Sequence, residues 1–191
     1  MTRFIRLLAA ATAVAMSTLI VGCAGVAPNY APSIDNIETV KKSGAAPTRV
    51  GAFAVTPAMP GASSLSIRAA SISSPVGANY GDYLAAAVKS ELELAKLFDA
   101  ASPAEITGTL IRNNIDAGGF STASGQMEAR FVVKRGDQVR FDKVKSVTHQ
   151  WESSFVGAVA IPAAANNYPI MVQKLIGQLV TDPDFVKALR N

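Results

Sequence analysis

From residue 49 onward, the apolar positions follow two different periods along the chain. Residues 79–98 repeat with a helical period, since their apolar side chains form one stripe and their charged side chains lie largely away from it. A similar stripe predicts a second long helix that begins at Asn167, with Pro169 in its first turn, and a short helix after Asp182. Short apolar or alternating runs predict five strands: 49–55, 64–72, 105–113, 126–134 and 138–152.

This order of elements predicts the fold class. Two strands, a helix, three strands and a final helix are typical of an α+β domain. We therefore expect an antiparallel sheet of about four to five strands, with two main helices packed on one face.

The last two strands flank a turn at 135–137 and together predict a β-hairpin. We expect Phe131 to lie opposite Phe141 on one face and Arg130 opposite Asp142 on the other. A slip of one residue would place Phe131 opposite Asp142, which the pleat of the sheet disfavours.

The N-terminal residues have the pattern of an export signal. A short basic start is followed by an apolar run over 7–21, which is too short to cross a hydrocarbon core of about 30 Å. This predicts a signal peptide at residues 1–22. The run ends in Ile-Val-Gly-Cys at 20–23, which resembles the lipobox of bacterial lipoproteins. The resemblance implies cleavage between Gly22 and Cys23, and attachment of acyl chains such as palmitate to Cys23.

Cys23 is the only cysteine among the 191 residues. Lipidation consumes its thiol, so the mature chain would have no disulfide and no cysteine nucleophile or ligand. The alternative is a small apolar side chain in an ordinary signal peptide that is cleaved elsewhere. In lipoproteins of this kind, an aspartate after the cysteine favours the inner membrane. Ala24 at that position implies a lipid anchor in the outer membrane, facing the periplasm.

Composition divides the remaining chain into two parts. Residues 23–48 carry three prolines and no sustained period, which predicts a lipidated cysteine followed by a flexible tether with a typical span of about 25 to 30 Å. The alternative is a short helix over 34–40 that packs on the domain. Residues 49–191 are long enough for one periplasmic α+β domain. The net charge of +4 falls to +2 without the signal peptide, so no nucleic acid is expected as a partner.

Four stretches carry a wider resemblance: residues 66–99, 105–116, 148–164 and 182–189. They resemble a group of small uncharacterised outer-membrane lipoproteins of proteobacteria. More remotely, they resemble the YajG-type lipoproteins and the auxiliary lipoproteins of envelope transport systems. The resemblance rests on structural patterns over nearly all of 49–190. It implies a membrane-tethered accessory role in the periplasm and carries over no catalytic residue.

The residues that support enzyme chemistry are sparse. His149 is the only histidine, so one chain cannot build a site from several imidazoles, and a Ser-His-Asp arrangement would need His149 and a distant serine. The Gly- and Ser-rich loop 116–125 matches neither a nucleophile elbow nor a phosphate-binding loop. Asp182 and Asp184 are expected to cap a helix. The sequence therefore predicts no enzyme, no metal site and no cofactor.

Two surface features favour binding. The hairpin has a local excess of four positive charges over Asp137 and Asp142, which could meet lipid phosphates or an acidic partner. The basic residues are Arg130, Lys134, Arg135, Arg140, Lys143 and Lys145. The alternative is a solvated hairpin whose lysines resist edge pairing. Lys143 and Lys145 share the parity of the apolar positions, which predicts a bulge or a strand end there.

The second feature is the apolar segment 153–168, which either lines the core or docks a partner. We therefore expect a lipid-anchored, non-enzymatic accessory protein for envelope assembly, maintenance or transport. Its domain would bind another envelope protein through the sheet face or edge and residues 153–165. Two alternatives remain: a periplasmic lipid carrier that holds an acyl chain between helices and sheet, and a serine hydrolase that uses His149.

Overall fold

The computed structural model of the protein describes residues 24–190, so the predicted signal peptide, its cleavage site at Gly22 and the predicted lipid site Cys23 lie outside the described residues. Seven strands and four helices form within this range. In chain order they are β1 (Ala24–Val26), α1 (Ile34–Lys42), β2 (Arg49–Val55), β3 (Ser64–Ile67), β4 (Ala70–Ser73), α2 (Tyr80–Leu94), β5 (Ala104–Asp116), β6 (Thr122–Arg135), β7 (Gln138–Glu152), α3 (Gly157–Val180) and α4 (Pro183–Leu189).

The strands form two sheets, and the α+β class is confirmed. The larger sheet has the strand order β2-β5-β6-β7, and the smaller has the order β1-β4-β3. Both sheets are mixed, because β2 pairs in parallel with β5 and β1 pairs in parallel with β4. The expectation of a purely antiparallel sheet is therefore wrong. A parallel pair needs a long crossover connection between its strands. Here the chain between β2 and β5 contains helix α2, which carries the chain back to the end of the sheet where β2 began.

The core lies between the larger sheet and helices α2, α3 and α4. Phe53 on β2 and Phe131 on β6 pack edge to face with ring centroids 5.9 Å apart. Tyr80 and Tyr83 on α2 pack against Tyr168 on α3. The predicted apolar stripe of α3 is confirmed, since its members are at most 1% exposed: Tyr168, Val172, Leu175, Ile176 and Leu179.

The predicted second strand is instead a small hairpin. Residues 64–67 and 70–73 form β3 and β4, which pair antiparallel across a turn at Arg68. Leu65 and Ile67 point into the core as expected, at 2% and 0% exposed. Arg68 has a φ of 56°, in the left-handed region that a tight turn requires. A continuous alternating pattern hides such a turn because Arg68 brings no Gly or Pro.

Helix α3 begins ten residues before the predicted start. Asn167 does not cap it; its side-chain amide donates to Ala163 O at 2.9 Å within the helix. The first turns are held by packing, since Ala160 and Ala164 are both 0% exposed. Pro169 therefore lies in the helix interior. Burial of small residues here outweighs the local preference for a start at Asn167.

The segment 24–48 packs on the rest of the chain and is not a free tether. The alternative of a short helix is confirmed by α1. Glu91 on α2, which is 2% exposed, ties the segment down: one carboxylate oxygen accepts the hydroxyl of Tyr30, the backbone N–H of Ser33 at 3.1 Å and the side-chain amide of Asn36 at 3.1 Å. The prolines of this segment suggested a flexible coil. Glu91, a buried acceptor far along the chain, instead holds Tyr30, Ser33 and Asn36 in place.

The hairpin of β6 and β7 has a shifted register. Phe131 lies opposite Lys143 and Val133 opposite Phe141, so the predicted pairing of the two phenylalanines is wrong by two residues. One residue of the shift arises at the turn, because Arg135 pairs with Gln138 across only two residues. The other arises at a bulge in which Arg140 is the extra residue, and not at the predicted position near 143–145. Because a shift of two residues leaves each side chain on the same face of the sheet, Phe131 and Phe141 both still point into the core.

Candidate functional site

His149 lies on β7 with both of its ring nitrogens engaged. Nε2 lies 2.9 Å from Asn167 Oδ1, and Nδ1 lies 2.8 Å from the ammonium of Lys174. An ammonium only donates, so Nδ1 is the acceptor for Lys174 and Nε2 is the donor to Asn167. The ring also packs beside Trp151, with centroids 5.5 Å apart. A serine that used His149 as its base would first have to displace one of these partners.

The carboxylates do not gather into a ligand set. Across residues 24–190, no group of three or more His, Cys, Asp or Glu side chains has a metal-binding arrangement. In the same range, no helix combines the length and hydropathy that crossing a bilayer requires.

Part of the basic hairpin is neutralised by carboxylates. Arg130 binds Asp142 through two hydrogen bonds, one of which is 2.6 Å from Nε to Oδ1. Val144, and not Asp142, lies directly opposite Arg130, so the predicted ion pair forms on the diagonal. Hydrogen bonds from Arg130 lower the pKa of the Asp142 carboxyl below its usual value.

Lys143 and Lys145 reach across to the start of α4. Lys145 binds Asp182 at 2.5 Å, and Lys143 lies 3.1 Å from Asp182 and 2.6 Å from Asp184. Burial raises the pKa of Asp182, but the hydrogen bonds from Lys145, Lys143 and the N–H of Asp184 outweigh it, so the pKa lies below its ordinary value. Asp182 is the N-cap of α4 and Asp184 lies in its first turn, in agreement with the predicted capping role. They also add two negative charges to the hairpin and lower its local positive excess from four to two.

The other three basic residues have varied surroundings. Lys134 is exposed and lies opposite Glu105 on β5. Arg140, the bulge residue, is exposed and lies 3.4 Å from Gln138. Arg135 is half-buried, and its Nε has no hydrogen-bond partner within the described residues. The structure therefore does not bring the six predicted basic residues together into one cationic surface.

The larger sheet has one face that the described helices leave open. Along β6, every second residue from 123 to 133 is buried under the helices, and the alternate residues are exposed or half-buried. The open face carries side chains of mixed charge and polarity: Arg112, Asn114, Gln126, Glu128, Arg130, Asp142, Ser146 and Thr148. Among the described strands, β7 has a neighbour on one side only, so its other edge is free.

The apolar segment 153–168 has two different sides. Ala160, Ala164 and Tyr168 are buried and line the core. Phe155 is 73% exposed, and Val156 and Val159 are exposed by about half. Core lining is therefore confirmed for one part of the segment, whereas docking of a partner by the other part stays a prediction. Its inner side belongs to the core, and its first turn presents apolar surface to solvent.

Phe120 in the loop between β5 and β6 extends this exposed surface. It is 78% exposed, and its ring stacks on that of Phe155 with centroids 5.6 Å apart and planes 10° apart. The predicted loop 116–125 is shorter in the structure, since it spans only 117–121. A lone phenylalanine in a Gly- and Ser-rich loop is the sequence feature that could have indicated this surface.

Arg68 holds the two loops that carry these rings. Its guanidinium donates to four backbone carbonyls: Ala117 at 2.7 Å, Gly119 at 3.1 Å, Ser154 at 2.6 Å and Phe155 at 2.7 Å. The first two carbonyls belong to the β5–β6 loop and the last two to the β7–α3 loop. Nothing in the local sequence around Arg68 indicates this role, because its four acceptors are about 50 and 87 residues away.

A surface groove of about 470 Å³ runs between β3 and the end of β5, beside Arg68. Its lining includes Ser64, Ser66, Asn114 and Asp116, which are polar. By contrast, side chains fill the space between the helices and the larger sheet. There, Phe131, Met171 and Leu175 are each at most 1% exposed.

Comparison with solved structures shows a fold similarity with little similarity in sequence. A crystal structure of a Xanthomonas campestris protein of the DUF330 family aligns with a TM-score of 0.54 and 13% identity, over 85% of this chain and 95% of that one. A crystal structure of an uncharacterized protein aligns with a TM-score of 0.38 and 10% identity, over 81% of this chain and 97% of that one. No protein-family model and no curated protein matches the sequence. At 13% identity, the first similarity concerns the fold alone.

Proposed function

We propose that this chain is a lipid-anchored accessory protein of the bacterial envelope, with no enzymatic activity. Acyl chains on Cys23 hold it in the outer membrane, on the periplasmic side. Its domain binds another envelope protein through the open face of the larger sheet. We also propose kinship with the small proteobacterial lipoproteins, including the YajG type; the fold shared with the Xanthomonas DUF330 protein supports the wider group.

The open face is the observation that carries the binding proposal. Strands β5, β6 and β7 have 13, 14 and 15 residues. At about 3.3 Å per residue and 4.8 Å between strands, the four-stranded face measures on the order of 700 Å², close to the roughly 800 Å² that one partner contributes to a standard interface. Its mixture of Arg, Glu, Asp and Gln suits a partner with complementary charges.

The surroundings of His149 support a role without catalysis. Its two nitrogens bond to Asn167 and Lys174, so the imidazole acts as a link between β7 and α3. A serine hydrolase is the least favoured function for this reason. Reaction with a fluorophosphonate that is lost on His149→Ala would overturn the non-enzymatic proposal.

The lipid-carrier alternative needs an open apolar cleft between helices and sheet. That space is filled by Phe131, Met171 and Leu175 in this conformation, so an acyl chain would first have to separate α3 from the sheet. The packing favours the accessory role. Lipid that copurifies in a fixed ratio with delipidated protein would favour the carrier.

Site-specific crosslinking in intact cells tests the proposed interface. A photoreactive amino acid replaces Gln126 on the open face, and Gln178, an exposed glutamine on α3, serves as the matched control. We expect one protein to be captured from position 126 and not from position 178. Capture from 178 alone, or from neither position, would contradict the assignment of the open face.

Lipid labelling tests the anchor separately. We expect cells grown with an alkyne fatty acid to label the chain, and Cys23→Ala to abolish the label and release the protein from the membrane fraction. A labelled Cys23→Ala chain, or a wild-type chain without label, would contradict the anchor.

A further inference from the structure

The loop before α3, the first turn of α3 and the loop before β6 form an apolar surface at one end of the molecule. We call Phe120, Phe155, Val156 and Val159 the aromatic patch. The two rings are 78% and 73% exposed, and the two valines are 54% and 55% exposed. At about 200 Å² for a whole aromatic side chain, the patch presents on the order of 400 Å² of apolar surface. This matches the largest patch of a typical monomer, which often has a function.

The patch is held in place by many contacts. Arg68 donates to the carbonyl of Phe155 at 2.7 Å and to that of Gly119, next to Phe120, at 3.1 Å. The N–H of Ser153 also donates to Ser121 O at 2.8 Å, which joins the two loops directly. The rings therefore stand in a fixed stacked pair, and a binding surface with this order loses little conformational entropy on contact.

The start of the described chain lies at the same end of the molecule. Ala24 pairs with Ser71 on β4, three residues after Arg68 in the small hairpin. At about 4.8 Å between strands and 3.3 Å per residue along them, Ala24 lies within about 15 Å of Arg68. Cys23 lies outside the described residues and precedes Ala24 in the sequence by one peptide bond. The proposed lipid site is therefore adjacent in sequence to a strand that pairs beside Arg68.

The described chain starts in strand β1, one residue after the proposed anchor. Strand β1 begins at Ala24, and the segment that follows it is tied to α2 through Glu91. Acyl chains on Cys23 therefore place this end of the domain at the headgroup layer, which is only several Å thick in each leaflet. An apolar surface so near the bilayer meets it as soon as the chain is anchored.

The charges around the patch indicate which part of the lipid it meets. Asp116 and Glu152 flank the two loops, and the guanidinium of Arg68 is engaged by four carbonyls. Attraction to anionic headgroups is therefore not the basis of the contact. Aromatic rings at the boundary between headgroups and acyl chains are stabilised by burial of their apolar surface.

We propose that the aromatic patch inserts into the bilayer surface beside the acyl chains of Cys23 and so fixes the orientation of the domain on the membrane. The inference rests on the proposed lipid anchor. It assigns the exposed part of 153–165 to lipid and leaves the open face of the larger sheet to a protein partner. Strands β5 to β7 then run away from the membrane and display that face along their length.

Depth measurements on the full-length lipidated protein test this proposal. Because lipidation consumes the thiol of Cys23, one introduced cysteine can be labelled with an environment-sensitive fluorophore. Val159→Cys places the label at the patch without removing either ring. Val139→Cys is the matched control, since both valines are 55% exposed and residue 139 lies near the far end of β7, about 40 Å from Trp151 by strand geometry. The labelled proteins are reconstituted in phosphatidylcholine vesicles that contain nitroxide-labelled phosphatidylcholine.

We expect the label at 159 to lose about half of its emission or more, as befits a depth of about 5 to 10 Å, and the label at 139 to keep its emission. The double variant Phe120→Ser with Phe155→Ser should abolish the loss at 159 while the protein still floats with the vesicles. Equal quenching at 159 and 139, or no quenching at 159 in protein that floats with the vesicles, would overturn the insertion of the aromatic patch and leave the proposed anchor unaffected. A photocrosslink from 159 to a protein in cells, without quenching by lipid, would assign the patch to a protein partner and would also overturn it. Failure to float, with an unacylated Cys23 by mass spectrometry, would overturn the anchor and the patch together.

Discussion

Replacing Asp182 with asparagine removes the charge that Lys143 and Lys145 share but keeps the oxygen that caps α4. Asp182 Oδ1 accepts the N–H of Asp184 at 2.8 Å, and asparagine is an equally good N-cap. The Lys145–Asp182 pair is the costly part, because the two side chains are only 15% and 7% exposed. Exposed pairs contribute up to about 1 kcal/mol and breaking buried ones costs 3–5, so we expect Asp182→Asn to lower the free energy of unfolding by about 2–3 kcal/mol at pH 7.

The pH dependence of this loss follows from the pKa of Asp182. The folded-state pKa is lowered, so the stabilisation is present above the unfolded-state pKa of about 4 and is lost as the pH falls through the folded-state value. The difference between wild type and Asp182→Asn should therefore be full at pH 7 and should shrink below about pH 4.

Urea unfolding measures the effect, with fluorescence of Trp151, the only tryptophan, as the signal. Residues 23–191 carrying Cys23→Ala avoid the need for detergent. Asp184→Asn is the matched control, because Asp184 is 66% exposed and solvent screens its pair with Lys143, so its loss should be much smaller. Equal losses for the two variants, or a difference that persists unchanged at pH 3, would refute the reasoning.

Three further substitutions test the fold. Burial raises the pKa of Glu91 more than its hydrogen bonds lower it, so its contribution to stability is fully present below the unfolded-state pKa and declines as the pH rises. Glu91→Gln should remove this decline from the free energy of unfolding, and parallel curves of that free energy against pH for variant and wild type would contradict the prediction. Gly108→Ala would place a Cβ atom 2.5 Å from the ring of Phe53 and should cost about 1–3 kcal/mol in urea unfolding, whereas Gly157→Ala, whose Cβ atom meets nothing closer than 3.9 Å, should cost nothing measurable. Arg68→Ala should increase amide hydrogen exchange in residues 117–121 and 153–156, since four hydrogen bonds to their carbonyls are lost; unchanged exchange there would show that Arg68 does not hold the loops.

Sequence reasoning was accurate where local patterns decide the structure. The helical period of 79–98 predicted α2, and Asn79 caps it by accepting the N–H groups of Gly81 and Asp82. The alternation of β6 and the turn at 135–137 predicted the hairpin. In each case the periodicity of a single element decides which face is buried, so no distant partner is needed.

The candidate sites depended on contacts that no local pattern contains. The basic residues of the hairpin were visible in sequence, but the aspartates that neutralise Lys143 and Lys145 come from about 40 residues later. Arg68 joins loops that are about 50 and 87 residues away. Side-chain charge is encoded position by position, whereas its neutralisation depends on which elements meet in the folded chain.

By itself, the sequence determined the α+β class, most of the helices and strands, the faces that they bury and the predicted export signal with its single cysteine. Tertiary structure alone decided the parallel pairing of β2 with β5, the bulge at Arg140, the early start of α3 and the docking of residues 24–48. The physical reason is one of range. Period and capping act within a few residues, while strand order, bulge position and a buried acceptor such as Glu91 are settled by which combination of distant elements packs most completely.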